Sequence, residues 1–249
     1  MTPDRNPLHH LAERKFFLAA SLLAAGLATS LPGPSAAQTR PQAADTMAQR
    51  TLACAACHGK EGRATRDGYF PRIAGKPAGY LYNQLLNFRE GRRRYPQMTY
   101  MVAHLSDAYL REMADHFASL DLPYPPAQAA AASAEVLARG RTLALDGDRT
   151  RNIPACTACH SEKLTGMQPT IPGLLGLSRD YLNAQFGAWR SGMRHAASPD
   201  CMADISRKLT PEDIGAVSAW LASQPLPANM KAQPATTTKL PVRCGSFAQ

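Results

Sequence analysis

Apolar residues recur three and four positions apart in several stretches of this chain, and that spacing predicts amphipathic helices. One helix is expected from about residue 45 to 56, and a second opens at Pro77 and closes at Gly91. A third begins after Ser106, whose hydroxyl suits a helix N-cap, and another begins near Ser133. No stretch alternates apolar and polar residues as a half-buried strand would. The pattern therefore predicts an all-α fold.

The second half of the chain repeats the first half in the same order. A Cys-x-x-Cys-His motif at residues 54–58 returns at residues 156–160, an offset of 102 positions. Further positions match at offsets of 101 or 104: Pro71, Gly75, Tyr80, Leu81, Gln84, Arg89, Gly91, Met98, Leu105 and Ser106 recur as Pro172, Gly176, Tyr181, Leu182, Gln185, Arg190, Gly192, Met202, Leu209 and Thr210. Because many of the matched residues are not apolar, helical periodicity alone does not explain them, and one unit has been duplicated.

Composition divides the chain around this repeat. A Pro- and Ala-rich linker over residues 123–130 separates a first domain, 38–122, from a second, 131–230, and an irregular tail covers 231–249. Residues 1–37 carry basic residues, an apolar run and a small-residue cleavage site, which together predict an export signal peptide. The apolar run is short for a membrane span of about 20 residues. An uncleaved anchor is the alternative.

Cys-x-x-Cys-His is the attachment signal for c-type haem. Two thiols one helical turn apart can each add to a haem vinyl group, and the following histidine binds the iron. The expected haem-binding residues are Cys54, Cys57, Cys156 and Cys159, with His58 and His160 as axial iron ligands. A four-thiolate zinc site needs neither histidine, and about 100 residues separate the two cysteine pairs. A thioredoxin-like motif would follow a strand, which neither copy does.

Each iron needs a second axial ligand from a later segment. The candidates are Met98, Met101 and His104 in the first unit, and Met193, His195, Cys201 and Met202 in the second. Met98 and Met202 each lie eight residues before the residue that begins the next helix, so the repeat favours these two. A thioether is a soft ligand that raises the reduction potential. Met101 and Met193 are expected to pack in the core.

Together these motifs resemble class I cytochrome c, and the tandem pair resembles the di-haem cytochrome c4 family. The shared pattern runs from the Cys-x-x-Cys-His motif through Pro-x-x-x-Gly, a Tyr-Leu-x-x-Gln helix, a methionine loop and Leu-Ser/Thr, over about residues 45–224. The resemblance implies two domains that each wrap one covalent haem c, with His/Met iron ligation and periplasmic electron carriage. It also implies that the carbonyls of Pro71 and Pro172 orient the axial histidines.

Two cysteines depart from that family pattern. Cys201 directly precedes Met202, and Cys244 lies in the additional tail. An oxidising compartment favours a disulfide between Cys201 and Cys244. Two unpaired cysteines are one alternative. Another is a thiolate haem ligand at Cys201, which resembles the di-haem thiosulfate dehydrogenases.

The net charge of +9 constrains the partners. Three basic and two acidic residues precede residue 38, so +8 remains after export. A basic surface favours acidic protein partners, or anionic lipid through peripheral membrane association. Nucleic acid is not expected, since no recognition motif accompanies the charge.

The run Arg92–Arg94 is expected to be a solvated charge cluster, with a docking patch as the alternative. Four residues either reach haem propionates or serve as ordinary helix residues: Tyr80, Gln84, Tyr181 and Gln185.

The leading hypothesis is a periplasmic di-haem c-type cytochrome. It would carry electrons between a donor dehydrogenase or quinol-oxidising complex and a terminal acceptor such as an oxidase, with no bond chemistry by the protein. A di-haem enzyme, such as a thiosulfate dehydrogenase or a peroxidase, would need one iron that is open or bound by cysteine. A dedicated cytochrome subunit of a dehydrogenase complex is the third hypothesis.

Overall fold

A computed structural model describes residues 45–235 and 239–247 of the chain. The elements in these residues are α1 (Met47–Arg50), α2 (Leu52–His58), α3 (Ala78–Arg89), α4 (Pro96–Val102), α5 (Asp107–Ser119), α6 (Ala134–Leu145), α7 (Thr157–His160), β1 (Gly166–Met167), β2 (Ile171–Pro172), α8 (Arg179–Arg190), α9 (Cys201–Lys208) and α10 (Pro211–Ser223). Short 3-10 turns follow α2 and α6. The predicted signal peptide lies outside the described residues. None of the helices described is long and apolar enough to cross a membrane.

In the first half, α3 packs against α5 around an apolar core. Phe88, Val102, Leu110 and Met113 are buried there. The Ser106 side chain accepts a hydrogen bond from the backbone at the start of α5, which confirms the predicted N-cap. The two long helices thus form one wall of the first half, and Cys54 of α2 packs against their core residues.

In the second half, α10 packs against α6 and α8. Leu143, Val217 and Leu221 are almost fully buried in this core. A Cβ atom on Gly140 would lie 2.2 Å from the carbonyl oxygen of Ala216, so glycine allows α6 and α10 to approach this closely. The arrangement matches the first half, where α5 contacts both α1 and α3 as α10 contacts both α6 and α8.

Three local predictions need correction. The single helix expected over residues 45–56 is two helices that meet at Thr51, and the second continues to the motif histidine. Met98 and Met202 lie on the short helices α4 and α9 rather than in loops. Pro96 opens α4 and the Asp200 carboxylate caps α9, which explains why helices form at these positions. A two-residue antiparallel hairpin, β1 with β2, adds a small strand element to the all-α fold.

The segment predicted as a linker has no regular secondary structure but is packed against both halves. The Arg72 guanidinium, in the first half, donates to the carbonyls of Leu122 and Pro123 at 2.6 and 3.0 Å. The Gln128 amide donates to the Ala222 carbonyl of α10 at 3.0 Å. These contacts fix the path of the chain between the repeats. The exact domain boundaries stay a prediction.

Candidate haem-binding site

Both Cys-x-x-Cys-His motifs open into one cavity of about 970 Å³. Helix α2 carries Cys54 and Cys57, and α7 carries Cys159 with Cys156 at its N-cap; all four cysteines line the cavity. None of these four cysteines forms a disulfide. Burial raises the pKa of the Cys156 thiol to about 12, so it is a neutral thiol in the apolar wall. A large cavity lined by two pairs of free thiols fits two haems, each attached through a pair of thioethers.

The motif histidines are held by proline carbonyls. His58 Nδ1 lies 2.9 Å from the Pro71 carbonyl oxygen, and His160 Nδ1 lies 2.7 Å from that of Pro172. A carbonyl only accepts hydrogen bonds, so Nδ1 carries the hydrogen and Nε2 keeps its lone pair. Burial lowers the pKa of both histidines, which favours this neutral form. The expectation for both proline carbonyls is therefore confirmed.

Both predicted methionines line the cavity that the histidines face. Met98 is partly buried against the core of the first half, and Met202 against the core of the second. Met101 and Met193 are 45% and 43% exposed, so the prediction that they pack in the core is wrong. Each lies at the cavity rim instead. His104 is exposed and does not line the cavity, so Met98 and the more exposed Met101 are the first-half candidates that do, and of these two Met98 packs against the core.

Cys201 and Cys244 form a disulfide that joins the start of α9 to the tail. Their Cα atoms are 5.1 Å apart. The bond occupies the Cys201 sulfur, which supports the disulfide among the three alternatives drawn from the sequence. His195, the remaining candidate in the second half, is exposed at the rim of the cavity.

A polar cluster joins the two halves at the cavity. Arg93 donates to Gln84 Oε1 and Gln185 Oε1 at 3.0 and 2.7 Å. Arg194 donates to the same two oxygens, at 3.1 and 2.7 Å. Arg93 also donates to the Tyr181 hydroxyl at 3.3 Å. Each arginine therefore holds one glutamine from each repeat, and the cluster has the twofold character of a duplicated unit.

The charge of this cluster is uncompensated within the described residues. Neither Arg93 nor Arg194 forms an ion pair there, although Arg194 is only 5% exposed. Burial, together with the like charge of Arg93, lowers the pKa of Arg194. A buried guanidinium beside a second, half-buried one, with no anion near either, is costly. Haem propionates supply such anions, so the cluster fits the cofactor that the motifs predict.

These two arginines are the functional candidates that the sequence reasoning missed. The sequence predicts that Arg93 belongs to a solvated charge run, whereas in the structure it lines the cavity and stacks 4.5 Å from the Phe88 ring. Arg194 stacks 3.9 Å from the Trp189 ring. Arg93 and Arg194 are 101 positions apart, and so are Phe88 and Trp189. This is the repeat offset already found for the glutamines and tyrosines. That offset was the signal in the sequence that could have identified them.

This fold and site define a di-haem class I cytochrome c. No protein-family model matches the chain. It is 32% identical over 174 residues to cytochrome c4 of Pseudomonas aeruginosa, a match that covers 69% of this chain and 84% of that protein. It is 39% identical over 173 residues to a thiosulfate dehydrogenase electron acceptor of Stutzerimonas stutzeri, covering 69% and 79% of the two chains. The chain belongs to the cytochrome c4 family, whose proteins carry two covalently bound haem c groups.

Solved structures agree with this assignment. Reduced recombinant cytochrome c4 from Pseudomonas stutzeri superposes with a TM-score of 0.59 at 28% identity, over 71% of this chain and 96% of that one. A thiosulfate dehydrogenase from Marichromatium purpuratum gives a TM-score of 0.60 at 32% identity, over 70% of this chain. The match covers only 36% of that second chain. The predicted architecture of two tandem class I cytochrome c units is confirmed.

Proposed function

We propose that this cytochrome c4 family electron carrier works in the periplasm, accepts electrons from a thiosulfate dehydrogenase and passes them to a terminal acceptor such as an oxidase. A relative named as a thiosulfate dehydrogenase electron acceptor is 39% identical, against 32% for cytochrome c4 of Pseudomonas aeruginosa. That difference supports a dehydrogenase over a quinol-oxidising complex as the donor. The basic charge of the chain suits donors and acceptors with acidic docking surfaces, or an anionic membrane surface.

The proposed ligands follow the repeat. Each motif holds its haem through two thioethers and one axial histidine, and a methionine faces that histidine from a later helix. The thioether cysteines are Cys54 and Cys57 for the first haem and Cys156 and Cys159 for the second; the axial pairs are His58 with Met98 and His160 with Met202. A haem whose two axial positions are both occupied passes electrons but does not bind substrate.

The observation that carries this proposal is the shared cavity. Both motifs, both methionines and the arginine pair line the same cavity. A bound haem supplies a reversible one-electron couple between ferric and ferrous iron. The protein residues orient the axial imidazoles, exclude water and balance propionate charge. An electron can therefore move between the two sites inside the protein.

The enzyme hypothesis depends on an iron that has lost its methionine or is bound by Cys201. The disulfide at Cys201 and the position of Met202 on the cavity wall favour the carrier instead. The same features apply to a dedicated cytochrome subunit, which would differ from a free carrier by stable association with a catalytic subunit.

The test separates a carrier from an enzyme. The purified holoprotein is mixed with thiosulfate alone, and in parallel with thiosulfate and a purified thiosulfate dehydrogenase, while the absorption of ferrous haem is followed. We expect reduction of both haems only when the dehydrogenase is present. Turnover with thiosulfate alone would make this chain the enzyme, and no reduction in either mixture would assign it a different donor.

A further inference from the structure

The C-terminal tail is fastened to the second half of the chain at two separate points. The Gln233 amide donates to the Gly166 carbonyl of β1 at 2.9 Å, which adds the tail to the edge of the hairpin. Farther along, the disulfide ties Cys244 to Cys201 at the start of α9. Residues 239–247, on either side of the disulfide, lie against the part of the second half that carries the second haem motif.

The described end of the tail, residues 239–247, is apolar where it meets that motif. Leu240 and Phe247 are buried, and they pack with Met167 and Ile171 of the hairpin. Cys159, the second thioether cysteine of the motif, packs against the same cluster. Five tail residues line the haem cavity: Leu240, Val242, Cys244, Ser246 and Phe247. The tail is thus a wall of the cavity at the thioether edge of the second site.

The first site lacks this cover among the described residues. Cys57, which matches Cys159 in the repeat, is exposed, whereas Cys159 is half-buried. Large apolar side chains around the first motif also face solvent, with Leu52 61% and Tyr100 83% exposed. The first motif is therefore more open to solvent than the second, which the tail covers.

Two further contacts hold the tail closely. The Gly245 amide donates to the Pro199 carbonyl at 2.9 Å, and a Cβ atom at Gly245 would lie 2.2 Å from the Ser198 carbonyl oxygen. The Asn83 side chain of α3 donates to the Ser246 carbonyl at 3.3 Å, so the tail also contacts the first half. The tail is therefore held by contacts with both halves of the chain, which keep it in place over the second motif.

We infer that the disulfide-anchored tail is a strap that closes the edge of the second haem, so that electrons exchange with partners mainly through the first haem. This inference rests on the proposed haem sites. Excluding water from one site favours its less charged ferrous form and raises its reduction potential. The strap would thus both direct the entry of electrons and hold them on the second haem.

The test measures how fast each haem exchanges electrons with a small reagent. The fully reduced holoprotein is mixed with ferricyanide, which takes one electron from each ferrous haem, and the two phases are followed by stopped-flow absorption. The Met98→His and Met202→His variants each change the potential of one haem, as redox titration shows. The kinetic phase that changes in each variant is then assigned to that haem. The strap is opened by Cys201→Ser with Cys244→Ser, and is loosened without touching the disulfide by Phe247→Ala. Arg243→Ala, at an exposed tail position, is the matched control.

In the wild-type protein we expect the first haem to react severalfold faster than the second. Opening or loosening the strap should raise the rate of the second haem severalfold and lower its potential, while the first haem and the Arg243→Ala control stay unchanged. Equal rates for both haems in the wild-type protein would overturn the inference. So would an unchanged second haem in both strap variants. If the wild-type protein does not show the spectrum of methionine-ligated haem, the result would instead count against the proposed haem sites.

Discussion

Replacing Arg194 with methionine tests whether the guanidinium pair holds the two halves together at the haem sites. Its side chain donates to Gln185 and Gln84 at 2.7 and 3.1 Å and lies 3.9 Å from the Trp189 ring. Hydrogen bonds from a charged donor contribute about 1.5–3 kcal/mol each, and a desolvated cation–π contact about 2 kcal/mol. These contributions are not additive and burial of the charge has its own cost, so we expect a net loss of about 3–5 kcal/mol.

The free energy of unfolding is measured by guanidinium chloride titration of the holoprotein. Arg207→Met is the matched control, because Arg207 is 57% exposed and pairs with Asp204 on the surface, where such a pair contributes less than about 1 kcal/mol. Redox titration gives a second readout. Removing a buried positive charge near both sites should lower both potentials, and Arg194→Lys should restore much of them. A stability loss no larger than in the control, or two unchanged potentials, would refute the reasoning.

A buried lysine, the two methionines and a tightly packed glycine give three more tests. Burial and the nearby charge of Arg72 lower the pKa of Lys76 from 10.5 to about 8, so unfolding takes up a proton between these pH values. Denaturant titrations should show stability rising by about 3 kcal/mol over that window, and Lys76→Met should abolish the rise. In redox titrations, Met98→His and Met202→His should each lower the potential of one haem; a change in neither would contradict the ligand assignment. In thermal unfolding, Gly140→Ala should cost about 1–3 kcal/mol because its Cβ would clash with a backbone oxygen 2.2 Å away. Gly187→Ala, with no atom within 4 Å, should stabilise by up to about 1 kcal/mol, and equal effects would contradict the packing argument.

The features that the sequence predicted well are those that depend on local chemistry or on the repeat. The helix after Pro77 and the cap at Ser106 follow from backbone preferences, and both appear in the structure. The contacts of the proline carbonyls with the motif histidines follow from matching motif positions to a known family, and both contacts are present. Covalent haem follows from the spacing of two thiols and a histidine, which the relatives support.

The features that the sequence did not predict depend on contacts between distant segments. Arg93 looks like part of a solvated run, and only the meeting of the two halves places it beside Gln185. Met101 and Met193 were assigned to the core because a lone methionine usually packs there, but both lie at the cavity rim. The tail composition predicted an irregular segment and gave no sign that Phe247 would be buried against the second motif.

The most direct test of the account is the absorption spectrum of the purified holoprotein, oxidised and reduced, with haem quantified per chain. The account predicts two haems per chain, both low-spin, and both with the weak red band of methionine-bound ferric iron. A high-spin signal, a haem without that band, or fewer than two haems per chain would contradict the assignment of Met98 and Met202 as axial ligands of two matched carrier sites.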